Sequence, residues 1–285
     1  MTSAALVCGS IPLAERIEAA EVRLMRAFGE AAVALGHPGA FVEPFAGGLA
    51  VSGGPGSPIS KVLATGFAPM PGEAVLNEIE AKYADAGVEV VFEIATLADL
   101  ALARHLEGRG YRLQRTELVL GAALPLASAR PPSPDAVVIL EASDLAAWTS
   151  VSVEGFSASE APEGRDTAEE VHGRAALTQA AQLFAHGDVR RYLATRGGVA
   201  AGAASVRIDQ DRIAQCCGAT TLVEHRRRGI QTALLYHRLT VAGAAGCDLA
   251  VVTTEPGSRS HANAQRHGFS PLYSRLVLSR ARSFA

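Results

Sequence analysis

A basic turn between two apolar segments carries the clearest chemistry in this sequence. Arg226–Arg228 are followed by Gly229, and a stretch of periodic apolar residues begins at Ile230. Glycine lets a ligand come close to the backbone. The first N–H groups of a helix have no partner within the helix, and they lie at the positive end of its dipole. The turn is therefore predicted to hold an anion, and the three arginines favour a phosphate or pyrophosphate.

The segments on either side place this turn between two strands. Ala219–Val223 before it are predicted to form a strand, and the apolar spacing of Ile230–Ala242 predicts a helix that is buried on one side. Gly246 is expected to end that helix, and the apolar run Asp248–Thr254 is typical of a buried strand. The alternative is that Arg226–Arg228 form a solvated turn before an ordinary helix.

The turn has the glycine spacing of neither a Walker loop nor a dinucleotide-binding fingerprint. It resembles the coenzyme A pyrophosphate loop of the GNAT superfamily of N-acetyltransferases, whose pattern is Arg/Gln-x-x-Gly-x-Gly/Ala. Arg226, Gly229 and Gln231 stand at the three marked positions, and Gln231 departs from the small residue that is usual at the third. Downstream, Asn263 resembles the cofactor-contacting asparagine of the family. The pair Gly268-Phe269 resembles its turn into a last hairpin.

This resemblance covers residues 137–285 and implies a cofactor and a reaction. Members of the family bind acetyl-coenzyme A, and the acceptor amine attacks the thioester directly, without a covalent enzyme intermediate. Backbone groups of Thr221 and Val223 are then expected to meet the acetyl and pantetheine arms where two parallel strands splay, and a main-chain N–H is expected to stabilise the oxyanion. The cofactor-binding residues implied are Thr221, Leu222, Val223, Arg226, Arg228, Gly229, Ile230, Gln231, Thr232, Ala233 and Asn263.

The proton transfers of such a reaction point to two candidate catalytic residues. An alkylamine of pKa ~10 must lose a proton before it attacks, so a base or a water relay is needed. Glu154 lies in the region that forms the acceptor wall in relatives, and a solvated carboxylate is the alternative. Many relatives place a general-acid tyrosine four residues before the Gly-aromatic turn, where this chain has Ala264. Tyr273 is the candidate replacement, and a packing role is its alternative.

Two functions remain open from the sequence. The first is an acyltransferase that moves an acetyl group from acetyl-coenzyme A to a primary amine of a small molecule or peptide. The second is a catalytically weak or inactive acyl-coenzyme A-binding regulatory module, which the absent tyrosine favours. A thiol of pKa ~8.5 leaves tolerably well without a general acid, so the enzyme is the preferred hypothesis.

An internal repeat predicts the architecture. Gly110-Tyr111 followed by Leu118–Leu120 recurs as Gly268-Phe269 followed by Leu276–Leu278, with the same spacing. A proline-rich stretch separates the copies and is predicted to be a linker over residues 127–136. The predicted fold is therefore α/β (α+β), with two tandem GNAT-like domains at 1–126 and 137–285. Each is expected to have a mixed, mostly antiparallel sheet, flanking helices and a splayed pair of parallel strands.

The first copy of the repeat lacks the basic turn of the second copy. Pro71-Gly72 stands where the second copy has Arg228-Gly229, and Glu73 follows. Proline donates no N–H, and an acid repels pyrophosphate. Residues 1–126 are therefore predicted to form a degenerate domain without cofactor that shapes or covers the substrate site, and a separate ligand pocket there is the alternative.

Composition excludes several other classes of function. Of the 285 residues, 48% are apolar and 19% are charged, and the formal net charge of −3 argues against a nucleic-acid partner. We expect a cytoplasmic protein with no membrane partner, because the sequence has no apolar run long enough to span a bilayer and no evident secretory signal. No metal site is predicted, because the four cysteines have no metal-ligand spacing. They are Cys8, Cys216, Cys217 and Cys247.

Overall fold

The computed structural model describes residues 7–126, 137–158 and 168–280, which group into two compact units. The N-terminal unit contains the described residues of 9–119, 254–256 and 271–280. The C-terminal unit contains those of 120–253 and 257–270, with residues 7–8. The last strand of the chain thus belongs to the N-terminal unit. The predicted linker, 127–136, lies outside the described residues, so the domain boundary stays a prediction.

The first half of the chain alternates helices and short strands. They are α1 (Ile11–Ala34), β1 (Ala40–Phe45), β2 (Gly48–Gly53), β3 (Lys61–Leu63), α2 (Glu73–Asp85), β4 (Val91–Ala95), α3 (Ala101–Gly108) and β5 (Arg112–Ala123). Helix α1 begins at a sequence signal, since Ser10 accepts a hydrogen bond from the Leu13 N–H at 3.4 Å and a proline stands in the first turn.

The second half has longer strands and a helical segment before them. Its elements are β6 (Val137–Glu141), α4 (Leu145–Ser157), α5 (Ala168–His172), α6 (Arg174–Leu183), β7 (Val189–Arg196), β8 (Val199–Ile208), β9 (Ile213–Thr221), α7 (Ile230–Ala244), β10 (Leu249–Thr254), α8 (Arg259–Arg266) and β11 (Ser270–Ser279). A short 3₁₀ helix, Val223–His225, joins β9 to the basic turn.

The N-terminal unit has a mostly antiparallel sheet with strand order β1-β2-β3-β4-β11-β5. Strands β3 and β4 are its parallel pair, with Val62 opposite Phe92. Strand β11 runs antiparallel to β4, from Arg275 opposite Ala95 to Ser279 opposite Val91. Tyr83 from α2 lies in the core below, and its hydroxyl donates to the carbonyls of both Val51 and Lys61 at 2.8 Å.

The sheet of the C-terminal unit has the strand order β10-β9-β8-β7-β6, with residues 120–123 of β5 beside β10. Strands β9 and β10 are parallel, and the other neighbours from β9 to β6 are antiparallel. Trp148 from α4 is buried against this sheet, where its indole N–H donates to the Ala204 carbonyl at 3.3 Å. The predicted fold class is confirmed.

The repeated Gly-aromatic motif has the same conformation in both halves. Gly110 follows α3 with φ 93°, and Gly268 follows α8 with φ 87°. The Tyr111 N–H bonds the Leu106 carbonyl at 3.0 Å, and the Phe269 N–H bonds the Ala264 carbonyl at 3.1 Å. Each glycine therefore ends a helix in the left-handed region and directs the chain into a long strand.

Two details of the predicted elements are wrong. Strand β9 ends at Thr221, and Val223 begins the 3₁₀ helix instead of continuing the strand. An apolar pattern was taken there for strand pairing, which tertiary structure decides. Up to residue 280, the segment after Gly268-Phe269 is one strand, β11, and not the hairpin that the resemblance implied.

Candidate functional site

A cavity of about 810 Å³ lies in the C-terminal unit. Its walls are the end of β9 at Ala219–Thr221, the turn and first residues of α7, and one face of α8. Gly155 and Phe156 from the last turns of α4 complete it. The volume is typical of a small-molecule or cofactor site.

Strand β9 separates from β10 where it enters this cavity, whereas it stays paired with β8. Its parallel ladder with β10 extends from Ile213 to Gln215, although β9 itself continues to Thr221. On the other side, β9 has a bulge, because Thr220 pairs with Ala203 while Cys217 pairs with Ser205. A bulge bends the strand and leaves a residue outside the ladder. Backbone groups on the β10 side of Ala219–Thr221 are therefore open to a ligand.

No N-cap side chain accepts a hydrogen bond from the N–H groups at the start of α7, which lies at the cavity. Gly229 is the N-cap of α7, has φ 74° in the left-handed region, and caps no N–H group. Arg227 also has a positive φ, of 61°, which is uncommon for a residue with a side chain. The N–H groups of Ile230, Gln231 and Thr232 belong to the first turn, so they have no acceptor within the helix. This is the arrangement that holds phosphate groups.

Arg226 fixes the turn from within. Its guanidinium donates to the Ala158 carbonyl at 2.6 Å and to the Thr221 carbonyl at 3.4 Å. The side chain thus connects the end of α4 with the end of β9, and both segments line or border the cavity. The sequence predicted a cofactor contact for Arg226, and the structure adds a role in shaping the turn.

Electrostatics of the cavity favour an anion. Arg226 and Arg227 line it from the turn, and Arg259 and Arg266 line it from α8. Among the described lining residues there is no Asp or Glu. Three polar atoms of lining residues are also buried without a hydrogen-bond partner among the described residues. They are Thr221 Oγ1, His225 Nδ1 and Gln231 Oε1.

Comparisons with known proteins identify the fold around this cavity. Residues 154–269 match the family model described as Acetyltransferase (GNAT) family. These residues belong to the GNAT family. The predicted superfamily is confirmed, and its fold supports acyl transfer in general. No curated protein matched the sequence.

Solved structures agree with this GNAT assignment at the level of fold. A GCN5-related N-acetyltransferase from Kribbella flavida is 18% identical, with a TM-score of 0.62 over 90% of this chain and 96% of its own. A tandem GNAT protein from the clavulanic acid biosynthesis pathway is 16% identical, with a TM-score of 0.54 over 77% of this chain and 74% of its own. A GCN5-related N-acetyltransferase from Sphaerobacter thermophilus is 16% identical, with a TM-score of 0.53 over 73% and 66%.

Most of the predicted cofactor-binding residues line the GNAT cavity. Those that do are Thr221, Arg226, Gly229, Ile230, Gln231, Thr232 and Asn263. Leu222, Val223, Arg228 and Ala233 are not among its lining residues. The Ala233 N–H bonds the Gly229 carbonyl at 2.9 Å, so it is unavailable to a phosphate. Arg228 and Val223 are exposed, and Leu222 is half-buried.

Several lining residues are not among the predicted cofactor-binding residues. They are Gly155, Phe156, Ala219, Thr220, His225, Arg227, Ser258, Arg259, Ser260, Ala262 and Arg266. The sequence spacing could have identified the lining residues of α8, because one helix face carries Arg259, Ala262, Asn263 and Arg266. Ser258 also caps this helix by accepting from the His261 N–H at 3.1 Å. No local signal marks Gly155, whose added Cβ would lie 2.6 Å from Thr220 Cγ2.

The structure places Glu154 outside the cavity lining. Its carboxylate lies 2.7 Å from Arg174 Nη2, and both side chains are more than half exposed. The neighbouring Gly155 and Phe156 do line the cavity. Glu154 is therefore a solvated, paired carboxylate in this structure.

Tyr273 is buried in the N-terminal unit. Its hydroxyl donates to Glu18 Oε1 at 2.8 Å, and Arg275 Nε donates to the same oxygen at 2.8 Å. Burial and the Glu18 charge raise the pKa of Tyr273 well above its ordinary value. A phenol with a raised pKa and an internal acceptor is a poor proton donor for a thiolate. The packing interpretation of Tyr273 therefore fits this structure better than the general-acid hypothesis.

At the parallel pair of the N-terminal unit, a hydrogen bond joins the loops that follow the two strands. The Asp99 N–H donates to the Gly66 carbonyl at 2.9 Å, which joins the loop after β3 to the loop after β4. At the start of α2, the Glu73 carboxylate pairs with Arg109 and lies 2.7 Å from His105 Nε2. A carboxylate thus already occupies the neighbourhood of this helix start, where an anionic ligand would be repelled.

Proposed function

We propose that the chain is an N-acetyltransferase that moves the acetyl group of acetyl-coenzyme A to a primary amine of a small molecule or peptide. The amine attacks the thioester directly in a ternary complex. The observation that carries the proposal is the uncapped start of α7 at a cavity lined by arginines and no described carboxylate. Family membership of residues 154–269 supports it.

The α7 turn is the proposed pyrophosphate site. The N–H groups of Ile230, Gln231 and Thr232 donate to phosphate oxygens, and Gly229 leaves room for close approach. Arg227, which lines the cavity and is exposed, adds a charged donor. Arg226 holds the turn in place through its bonds to the Thr221 and Ala158 carbonyls.

The end of β9 is the proposed acetyl site. Backbone N–H and C=O groups of Ala219–Thr221 lie past the end of the parallel ladder and next to the bulge. A main-chain N–H fixed there stabilises the oxyanion that develops as the amine attacks, because it is already oriented before the reaction. Coenzyme A supplies the activated thioester.

In this proposal, water accepts the proton that the acceptor amine must lose. The described lining has no carboxylate, and Glu154 is paired with Arg174. The thiolate leaves without a general acid, since a thiol of pKa ~8.5 is a tolerable leaving group.

A thiol-release assay with acetyl-coenzyme A tests the proposal. A panel of primary amines, aminoglycosides and peptide N-termini is offered beside protein without acceptor. We expect at least one amine to raise thiol release above that background and to gain the mass of one acetyl group in the product. Binding of acetyl-coenzyme A without release across the whole panel would contradict turnover.

The second candidate, a catalytically weak acyl-coenzyme A-binding regulatory module, has its own supporting observation. Ala264 is buried at the position of the family tyrosine, and the hydroxyl of Tyr273 is bonded to Glu18. The two candidates share the cofactor site and differ in turnover, so the thiol-release assay separates them.

The Tyr273→Phe variant is expected to lose stability and to keep its rate. Removing the bond to the buried Glu18 carboxylate should lower the free energy of unfolding by about 1.5–3 kcal/mol. The turnover number should change less than about twofold if the thiolate leaves unaided, whereas loss of a general acid costs about a hundredfold. Urea denaturation measures the stability, and the thiol-release assay measures the turnover number. A variant that is about a hundredfold slower and equally stable would support Tyr273 as the general acid.

One coenzyme A is expected to bind per chain, in the C-terminal unit. Among the described residues of the N-terminal unit, Glu73 brings a carboxylate to the start of α2, and the Asp99 N–H donates to the Gly66 carbonyl, so we expect no second cofactor to bind there. Calorimetric titration measures the stoichiometry. Two equivalents per chain, with the second insensitive to changes at Gly229, would contradict this prediction.

A further inference from the structure

A buried arginine lies on the apolar face of helix α7. Arg238 stands one helical turn after Leu234 and one turn before Ala242, and all three side chains are buried. Arginine is almost never fully buried unless its charge is paired. Among the described residues, the acceptors of Arg238 are three main-chain carbonyls and no carboxylate. One of them is the Leu234 carbonyl of its own helix, to which Nε donates at 3.2 Å.

The other two acceptors of Arg238 lie on neighbouring strands. Its Nη1 donates to the Ser205 carbonyl on β8 at 3.1 Å and to the Cys217 carbonyl on β9 at 3.4 Å. The Ser205 hydroxyl donates to the same Cys217 carbonyl at 2.9 Å. A carbonyl oxygen can accept two hydrogen bonds. These two donors therefore satisfy the Cys217 carbonyl and fix the peptide group that it shares with Gly218.

This peptide group begins the bulge of β9. Gly218 and Ala219 stand opposite the single residue Ala204 of β8, and Gly218 has φ 57° in the left-handed region. Glycine in that conformation is the first residue of one common class of bulge. The indole of Trp148, on α4, donates to the Ala204 carbonyl at 3.3 Å. Helices α4 and α7 thus each supply a buried side chain that holds the backbone at the bulge, and on α7 that side chain is Arg238.

Stability alone does not explain an arginine at this position. Taking a guanidinium out of water is costly, and an apolar residue of similar volume often serves a core equally well. An apolar side chain cannot donate to a carbonyl, however. Ala219, directly after Gly218, lines the cavity with Thr220 and Thr221. A change in the bulge would turn the N–H groups of these residues, and a group misplaced by about 1 Å can cost about a hundredfold in rate.

We propose that Arg238 is a positioning residue of the acetyl site. By holding the Cys217 carbonyl it fixes the bulge at Gly218, and the bulge directs a main-chain N–H of Ala219–Thr221 at the thioester carbonyl. That N–H polarises the thioester before the amine attacks. The inference rests on the proposed function, because it takes the end of β9 as the acetyl site. Helix α7 then has two tasks, one at its first turn and one at Arg238.

Isotope-edited infrared spectroscopy of bound acetyl-coenzyme A tests this role without turnover. A heavy carbon isotope in the thioester carbonyl separates its stretching band from those of the protein. The wild-type protein should lower that frequency relative to the free ligand, because a hydrogen bond weakens the C=O bond. Arg238→Met removes the donors at similar volume and should abolish most of the shift. Its dissociation constant for coenzyme A, which has no acetyl group, should stay within about twofold of the wild-type value.

The thiol-release assay adds the rate. With an amine that the wild-type protein acetylates, Arg238→Met should lower the turnover number by about tenfold to a hundredfold, with little change in the Michaelis constant for acetyl-coenzyme A. Arg238→Lys keeps the charge without the planar fork and should recover part of the rate and of the infrared shift. Ser205→Ala removes the other donor to the Cys217 carbonyl and should cause smaller losses of the same kind. It carries the test if Arg238→Met does not fold, which circular dichroism checks.

Leu239→Ala is the matched control for lost stability. Leu239 is buried on α7 next to Arg238, and its side chain has no donor for the bulge. The variant should therefore unfold more readily but keep the infrared shift and the turnover number. A wild-type shift in Arg238→Met would overturn the inference, and so would an equal loss of shift in the control. If the wild-type protein bound acetyl-coenzyme A without any shift, the inference would be wrong and the pyrophosphate site would remain. Absence of acetyl-coenzyme A binding would instead defeat the proposed function, and this inference with it.

Discussion

Replacing Gly229 with glutamate is expected to weaken coenzyme A binding more than a hundredfold, or on the order of 3 kcal/mol. The new carboxylate would stand at the N-cap of α7, where the free N–H groups and the dipole now favour a ligand anion. It would also place a side chain where Gly229 lets the phosphate approach. Calorimetric titration of the wild-type and variant proteins measures the loss.

Two control variants separate charge from backbone strain. Gly229→Asn is uncharged and tolerates φ near 74°, so it should lose much less affinity than the glutamate variant. Gly72→Glu puts the same charge at the N-cap of α2, where an added Cβ has nothing within 4 Å, and it should bind coenzyme A like the wild-type protein. If the Gly229→Glu variant bound coenzyme A as tightly as the wild-type protein, the proposal that pyrophosphate binds at the start of α7 would be wrong.

Replacing Glu18 with alanine is expected to lower the free energy of unfolding by about 3–5 kcal/mol. Glu18 on α1 accepts hydrogen bonds from Tyr273 and from Arg275, each at 2.8 Å, and both members of the ion pair are buried. Although burial opposes its charge, Glu18 raises the pKa of Arg275 well above its ordinary value. Arg275 therefore stays charged, and without Glu18 it would be a buried cation that has lost its closest counter-charge.

Urea denaturation followed by far-ultraviolet circular dichroism measures this loss. The double variant Glu18→Leu with Arg275→Met should recover much of the stability, because it removes both charges at similar volume. Glu154→Ala is the matched control, since it breaks an exposed ion pair with Arg174 and should cost no more than about 1 kcal/mol. A Glu18→Ala protein as stable as that control would show that the buried pair contributes little.

Local chemistry explains which parts of this molecule could be predicted from its sequence. The start of α7 follows from Gly229 and from the apolar spacing after it, both of which act within a few residues. The same holds for the turns at Gly110 and Gly268, where a left-handed residue ends a helix. These features need no distant partner, so a single sequence carries them.

Other parts depend on residues that are far apart in sequence. The strand predicted to reach Val223 ends at Thr221, which is paired with Gly202 of β8, and a 3₁₀ helix begins at Val223. Tyr273 was a plausible acid from its distance to Gly268, but its hydroxyl is bonded to Glu18, 255 residues away. Arg259 and Arg266 became recognisable as site residues only when α8 was seen to line the cavity. Sequence spacing predicts a helix face, whereas tertiary structure decides what that face meets.

The place of β11 has a consequence for any attempt to dissect the chain into fragments. A fragment that ends in the predicted linker would lack the strand that lies between β4 and β5, and it would present two unsatisfied strand edges to other molecules. A fragment that begins at residue 137 would carry Leu276–Leu278 without β4, the strand against which they pair. Both truncations should aggregate when expressed alone. A break in the predicted linker would therefore separate β11 from β4 and β5, the two strands between which it lies.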